Sequence, residues 1–174
     1  MRVYVPATIP MLQQLVADGE FSPVSRTAFA VTPALRESYH SGDDEELAEV
    51  AMAEAARASL RLIAAAAADG DGESGDGTKP RFRRAVIAAD VDDVKLRPDL
   101  DDAVVRLGDV LRLSQVASVH VDLAEAEPDI EKAVAVVDAA DLGDEDAEFV
   151  LGDAEDHELA WYARQELPFL LELL

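Results

Sequence analysis

Segments with strand-like and helix-like patterns alternate along this chain, and the first strand begins almost at the first residue. Residues 2–6 alternate polar and apolar side chains, which is the pattern of a strand. Thr8 suits the N-cap of a following helix, and Gly19 suits the C-terminal end of that helix. Residues 27–32 predict a second strand that ends at Pro33. Because strands joined through a helix usually run parallel, with a right-handed crossover, we expect that arrangement here.

The longest predicted helix covers residues 44–68. Asp43 and Glu46 form a start that resembles a capping box. Apolar residues then recur every three or four positions, which places them on one face of the helix. The stretch 69–79 is rich in Gly and acidic residues and has no apolar side chain, so we expect a flexible loop there.

The rest of the chain predicts three more strands and three more helices. The predicted strands are residues 81–90, 103–107 and 116–122. The predicted helices are residues 128–140 and two further helices capped by Asp144 and Asp153, the last of which runs to Pro168. Residues 1–174 are therefore expected to form a single α/β (α+β) domain. Its mixed sheet opens with β-α-β and is covered mainly by helices, and its C-terminal third is helical.

Negative charge is concentrated after the first 40 residues. Residues 1–40 hold three arginines and three acidic residues, so the whole net charge of −22 lies in residues 41–174. A field of this sign repels nucleic acids and anionic membrane surfaces, and we expect neither as a partner. Adaptation of the source organism to high salt would also explain this excess of acidic residues. The one basic cluster is expected to balance neighbouring acids; it consists of Lys79, Arg81, Arg83 and Arg84.

The absence of cysteine excludes disulfides, thiolate zinc sites and cysteine nucleophiles. The chain has no apolar run of membrane-spanning length, and its start lacks a basic region followed by an apolar stretch. We therefore expect a cytoplasmic location. Hydrophobic residues make up 49% of the chain but aromatic residues only 5%, so small and branched aliphatic side chains are expected to fill the core.

Two groups of residues are candidates for a metal site. Asp90, Asp92 and Asp93 follow the third predicted strand, where metal-dependent hydrolases place Mg²⁺ or Mn²⁺ ligands. His157 lies within a second acidic group and would complete a site with neighbouring carboxylates. A solvated loop explains the first group, and favourable placement of acids in the first turn of a helix explains the second, and we favour these simpler interpretations. We therefore expect no cofactor and no catalytic residue, and keep these four residues as the metal-site alternative.

His120 and Asp122 share one face of a predicted strand, because side chains two residues apart point the same way. They are candidates for an acid/base pair. Two polar neighbours on an exposed strand face explain the same spacing.

The C-terminal segment combines the only tryptophan with many apolar side chains. The candidates for contact with a partner are Trp161, Tyr162, Phe169, Leu170, Leu171, Leu173 and Leu174. Burying such side chains contributes about 1.5–3 kcal/mol each, which is too much to leave in water. They either complete the core of this chain or dock on another protein or a second copy of the chain.

Four segments together resemble a family of small acidic actinobacterial proteins of unknown function. They are RVYVPAT at residues 2–8, TAFAVTPAL at 27–35, ASVHVD at 117–122 and EDHELAWY at 155–162. The resemblance spans most of the chain and implies a bacterial, cytoplasmic protein from a GC-rich genome. It implies no activity and assigns no functional residue.

These observations favour an acidic, non-catalytic module that binds or regulates another protein. The first alternative is a small metal-dependent hydrolase that uses the clustered carboxylates. The second is a DNA mimic, which would need carboxylates in two rows at the spacing of phosphates.

Overall fold

The structure is a computed structural model that describes residues 1–39, 41–68 and 81–174. The predicted flexible loop at 69–79 lies outside the described residues, as does His40. Among the described residues, no helix is long and apolar enough to cross a membrane.

Nine strands and six α-helices make up the described part of the chain. The strands are β1 (Arg2–Ala7), β2 (Glu20–Phe21), β3 (Thr27–Phe29), β4 (Ala85–Asp90), β5 (Val94–Leu96), β6 (Val104–Leu107), β7 (Leu111–Arg112), β8 (Val116–Val121) and β9 (Ala160–Ala163). The helices are α1 (Ile9–Asp18), α2 (Pro33–Ser38), α3 (Asp44–Ala68), α4 (Glu127–Asp141), α5 (Glu145–Glu155) and α6 (Leu167–Leu173).

Several predicted helix ends are confirmed by their local geometry. The Asp43 side chain accepts a hydrogen bond of 2.9 Å from the Glu46 amide at the start of α3, and Asp144 caps the Ala147 amide at the start of α5. Gly19 ends α1 at a φ of 76°, a conformation that glycine adopts without steric cost.

Seven strands form one antiparallel sheet in the order β5-β6-β3-β1-β4-β8-β9, and β2 pairs with β7 in a separate ribbon. The mixed α/β fold class is therefore confirmed, but the predicted parallel crossover is wrong. After α1, the chain first adds β2 to the ribbon. Ser25 and Arg26 then adopt left-handed conformations with φ of 55° and 53°. After this turn, β3 enters the sheet antiparallel to β1.

The two faces of the sheet are covered by different elements. The back face carries Val3, Ile87 and Val119 and packs against α1, α6 and the β2–β7 ribbon. The front face carries Tyr4 and Val86 and packs against α3. The C-terminal half of α3 in turn packs against α4 and α5.

Ser59 fixes α3 at one end of the central strands. Its buried hydroxyl donates to the Ala7 carbonyl at 2.7 Å and accepts from the Ala85 amide at 3.0 Å. One side chain thus satisfies two backbone groups where β1 ends and β4 begins.

The predicted helix that begins at Asp153 and runs to Pro168 is wrong. Asp153 lies inside α5, which ends at Glu155, and residues 160–163 form β9, which pairs with β8. Tyr162 packs into the back-face core, and this tertiary contact outweighs the helix-like spacing of the local sequence. Pro168 lies in the first turn of α6, where its missing N–H costs nothing.

Candidate functional site

An open cleft of about 630 Å³ lies between α3, the front face of the sheet and residues 155–159. Tyr4, Arg84 and His120 line it from the sheet, and Met52 and Leu60 line it from α3. Its volume is in the range of small-molecule and side-chain binding sites, in which a few polar groups stand among apolar ones.

A buried ion pair holds one end of the cleft. Asp122 Oδ2 accepts from the Arg84 amide and from Arg84 Nε, both at 2.8 Å, and Asp122 Oδ1 accepts from Arg84 Nη2 at 2.8 Å. Arg84 Nη2 also donates to the His157 carbonyl at 2.8 Å. Burial of both side chains is compensated by this bidentate geometry. The pair thereby joins the segment before β9 to the sheet.

The predicted acid/base pair of His120 and Asp122 does not form, because both carboxylate oxygens of Asp122 bond to Arg84. His120 Nε2 instead lies 3.0 Å from the hydroxyl oxygen of Ser118. Burial lowers the pKa of His120, and the positive charge of Arg2 lowers it further. His120 therefore favours the neutral form.

Ser118 and His120 have the hydrogen bond of a nucleophile and its base. The Ser118 residue is only 6% exposed, however, so its hydroxyl offers little surface to a substrate carbonyl. Within the described residues, no carboxylate bonds to His120 to orient the ring.

His157 connects the cleft to α4. Its Nε2 lies 2.8 Å from Asp129 Oδ2, while its backbone carbonyl accepts from Arg84. The segment between α5 and β9 is thus held by α4 on one side and by the sheet on the other.

Arg57 ties the cleft wall on α3 to the helices behind it. Its Nη2 lies 3.1 Å from Asp141 Oδ1 and 2.9 Å from Glu148 Oε1, and its Nη1 lies 3.8 Å from Glu155 Oε1. Hydrogen bonds to Glu148 raise the pKa of Arg57 further, despite partial desolvation. This network positions α5 and, through Glu155, the rim of the cleft.

The metal-site candidates lie at separate places. Asp90 pairs with Arg2 at 2.8 Å, and this hydrogen bond lowers the Asp90 pKa. Asp92 is exposed, and the Asp93 carbonyl accepts from the Gly108 amide at 2.9 Å. His157 contacts Arg84, which precedes the other end of β4, about 20 Å from Asp90 at the usual rise per strand residue.

Within the described residues, no group of three or more His, Asp or Glu side chains is placed to hold a metal ion. A metal site therefore remains only a prediction from the sequence.

The apolar candidates of the C-terminal segment divide into buried and exposed side chains. Leu170 belongs to the core, and Tyr162, Leu171 and Leu174 pack partly against it. Phe169 and Leu173 are 68% and 86% exposed, one turn apart on α6. The core interpretation therefore holds for the buried side chains, and contact with a partner stays a prediction for the exposed ones.

Trp161 lies apart from the α6 residues. It is 61% exposed and stands opposite His120 in the pairing of β8 with β9. Its side chain therefore lies on the front face, whereas Tyr162 and α6 pack on the back face. Trp161 and α6 do not form one continuous patch.

The backbone of Trp161 points away from the sheet. The Asp122 amide donates to the Arg84 carbonyl at 3.1 Å, so Asp122 and His120 direct their backbone groups toward β4. Val119 and Val121 then direct theirs toward β9, where they pair with Tyr162 and Ala160. The N–H and C=O of Trp161 consequently face the outer edge of β9, which we call the β9 edge. No strand among the described residues pairs with it.

The sequence alone did not single out Tyr4 or Arg57 for the site. The basic cluster in the sequence was the one feature that pointed to the ion pairs near the cleft. Arg83 bonds Glu127 at 2.7 Å, and Arg84 bonds Asp122. The predicted balance of neighbouring acids is confirmed for these two arginines, while Lys79 lies outside the described residues.

A comparison with family models matches residues 1–171 to a family of unknown function, DUF6912. No curated protein and no solved structure matches the chain. The resemblance to a family without assigned activity is thereby confirmed, and the actinobacterial source remains a prediction. Because the match covers nearly the whole length, the chain belongs to DUF6912.

Proposed function

We propose that this protein is a non-catalytic module that binds another protein through Trp161, the β9 edge and the adjoining cleft. The observation that carries the proposal is that the only tryptophan is 61% exposed on an edge strand. Tryptophan is among the residues that contribute most to protein interfaces, because it buries a large rigid surface at low entropic cost. A cytoplasmic location is part of the same proposal and is checked by cell fractionation.

The surroundings of Trp161 support a preformed binding surface. Its cross-strand neighbour His120 lines the cleft, so a partner seated on Trp161 lies next to a concave, partly apolar space. The Arg84–Asp122 pair and the His157–Asp129 contact hold the cleft rim in place. A rigid surface binds at lower entropic cost than one that must be ordered.

The test is site-specific cross-linking in the source cell. A photoreactive phenylalanine analogue replaces Trp161 in the full chain, and in a matched control it replaces Phe169, an exposed aromatic residue on the other side of the sheet. We expect one protein to cross-link from position 161 only. The purified partner should then bind the Trp161→Ala variant at least about tenfold more weakly. Equal affinity for the wild type and this variant would contradict the proposal.

The non-catalytic part of the proposal has a separate test. A fluorophosphonate probe labels serine nucleophiles that an adjacent base activates. We expect no labelling of Ser118, and the Ser118→Ala variant is the control for labelling elsewhere. Covalent modification of Ser118 would show that the pair with His120 is chemically competent.

Self-association through α6 is a second candidate, favoured by the exposure of Phe169 and Leu173 one helical turn apart. Such i, i+4 apolar pairs are the anchors of helix-mediated contacts. Sedimentation velocity of the wild type and of the Phe169→Ser/Leu173→Ser variant decides this point. A wild-type dimer that the double variant abolishes would support it, and a monomer at all concentrations would refute it.

A further inference from the structure

We propose that the partner presents an extended, positively charged segment, which adds to the β9 edge as an antiparallel strand with a basic side chain against Trp161. This inference rests on the proposed function and specifies the chemical class of the partner. It follows from three features of the β9 edge: its backbone groups, its charge and the direction of the Trp161 side chain.

The backbone of β9 offers a short pairing site. Trp161 directs its N–H and C=O outward, whereas the outward N–H of Ala163 donates to Glu166 Oε1 at 3.2 Å. The Glu166 carboxylate therefore closes one end of the edge, and an added strand would pair around Trp161. Strand addition of this kind takes its affinity from main-chain hydrogen bonds and its specificity from side chains.

The segment that contains the β9 edge is acidic, which favours a basic partner segment. Residues 153–166 contain five acidic residues, Asp153, Glu155, Asp156, Glu158 and Glu166, and one arginine, Arg164. Glu155 is paired with Arg57 on α3, and Glu166 bonds the Ala163 amide. The guanidinium of Arg164 donates to the Ser114 carbonyl at 3.0 Å. An acidic segment, including residues 153–166 of a second copy of this chain, would meet charge of its own sign. A basic segment is attracted both locally and by the net charge of −22.

The side chain of Trp161 adds a specific contact for a cation. Residues directly opposite each other in an antiparallel pair direct their side chains to the same face, with Cβ atoms about 5 Å apart. The residue opposite Trp161 would therefore lie beside the indole ring. Lysine or arginine in that position can stack its charge on the ring, and tryptophan is the best partner for such a contact.

The experiment selects binders of the full chain from a displayed library of random peptides about ten residues long. The Phe169→Ala variant is the matched control. We expect selected peptides to be basic, free of proline and equally bound by both proteins. Binding is then measured with synthetic peptides through the fluorescence of Trp161, because it is the only tryptophan. Exchange of lysine for glutamate in the peptide should weaken binding by at least about tenfold.

Strand pairing has its own readout. N-methylation of two adjacent peptide residues blocks both edges of the peptide, so it should abolish binding while composition and charge are kept. Hydrogen exchange of the Trp161 amide should slow in the complex, because that N–H gains a partner. Selected peptides that are neutral or acidic, or that bind equally well after N-methylation, would overturn the inference, as would a library that yields no binder.

The outcomes separate this inference from the proposed function. A protein that cross-links from position 161 and loses affinity for Trp161→Ala, in the absence of any basic peptide binder, would refute strand addition and leave the proposed function standing. Absence of a partner that depends on Trp161 would refute the proposed function itself.

Discussion

The buried pair of Arg84 and Asp122 is the most constrained contact at the scale of single residues. The Asp122 side chain accepts three hydrogen bonds from Arg84, one of them from its backbone amide. Each charge is removed from water and compensated almost entirely by the other. The loss of either partner therefore leaves a charge in a place where water cannot replace the missing contacts.

We predict that Asp122→Ala lowers the free energy of unfolding by about 3–5 kcal/mol, because it leaves the buried Arg84 guanidinium uncompensated. Urea denaturation at pH 7 measures the change. The matched control is Asp90→Ala, which removes the exposed pair with Arg2 and should cost less than about 1 kcal/mol. Similar losses in the two variants would show that burial of the pair does not set its importance.

His120 predicts a pH dependence of stability. Because its pKa in the folded protein is below the ordinary value of 6.5, the unfolded chain takes up a proton first as the pH falls. Above about pH 6.5 the imidazole is neutral in both states and costs no free energy of unfolding. As the pH falls from there through the lowered folded-state pKa, protonation of the unfolded chain reduces the free energy of unfolding. We expect the unfolding free energy of the wild type, relative to His120→Gln, to decrease between pH 7 and pH 5. A constant difference over that range would contradict the burial of this imidazole.

At the scale of secondary-structure elements, α6 has one buried and one exposed face. Leu167 and Leu170 pack into the back-face core, whereas Phe169 and Leu173 are in contact with solvent. The helix is therefore part of the fold itself, and its outer face is free to contact a second molecule.

We predict that Leu170→Ala lowers the free energy of unfolding by about 2 kcal/mol or more, because it creates a cavity against α1 and the sheet. The neighbouring variants Phe169→Ala and Leu173→Ala should change it by less than about 0.5 kcal/mol. Thermal and urea unfolding of the three variants provide the comparison. Equal effects at positions 170 and 173 would mean that α6 does not dock as described.

Elements with strong local signals were predictable from the sequence, and α3 is the clearest case. Its capping residue gave the start of the helix correctly, and its apolar spacing predicted helix as far as Ala68, the last described residue before the gap. Residues 160–163 were not predictable, because their spacing fits a helix and only pairing with β8 makes them a strand. The direction of β3 was equally hidden, because it is set by pairing with β1 and with β6, which is about 75 residues further along the chain.

The candidate site was predictable only in part, for the same physical reason. Trp161 stood out as a single large aromatic residue in a chain with few of them. Its position on an edge strand and the cleft beside it arise from residues far apart in sequence, such as Tyr4, Met52, His120 and His157. No local pattern contains that information.

At the scale of the whole molecule, the net charge of −22 opposes the compact state through self-repulsion. We predict that the melting temperature rises as NaCl increases from about 10 mM to about 0.5 M, because salt shortens the range of that repulsion. A Glu131→Lys/Asp138→Lys variant has a net charge of −18, since each change adds two positive charges to −22. Its melting temperature should depend less steeply on salt. A dependence of equal slope in both proteins would indicate an effect unrelated to charge.

The central pairing of β1 with β4 has a consequence for how the chain folds. Ala7 lies opposite Ala85 and Arg2 opposite Asp90, so the middle of the sheet joins residues about 80 positions apart. Long-range antiparallel contacts of this kind slow folding toward the millisecond-to-second range, because the intervening chain must lose its freedom first. During that interval unpaired strand edges are exposed. Electrostatic repulsion between the acidic chains opposes association of partly folded molecules through these edges.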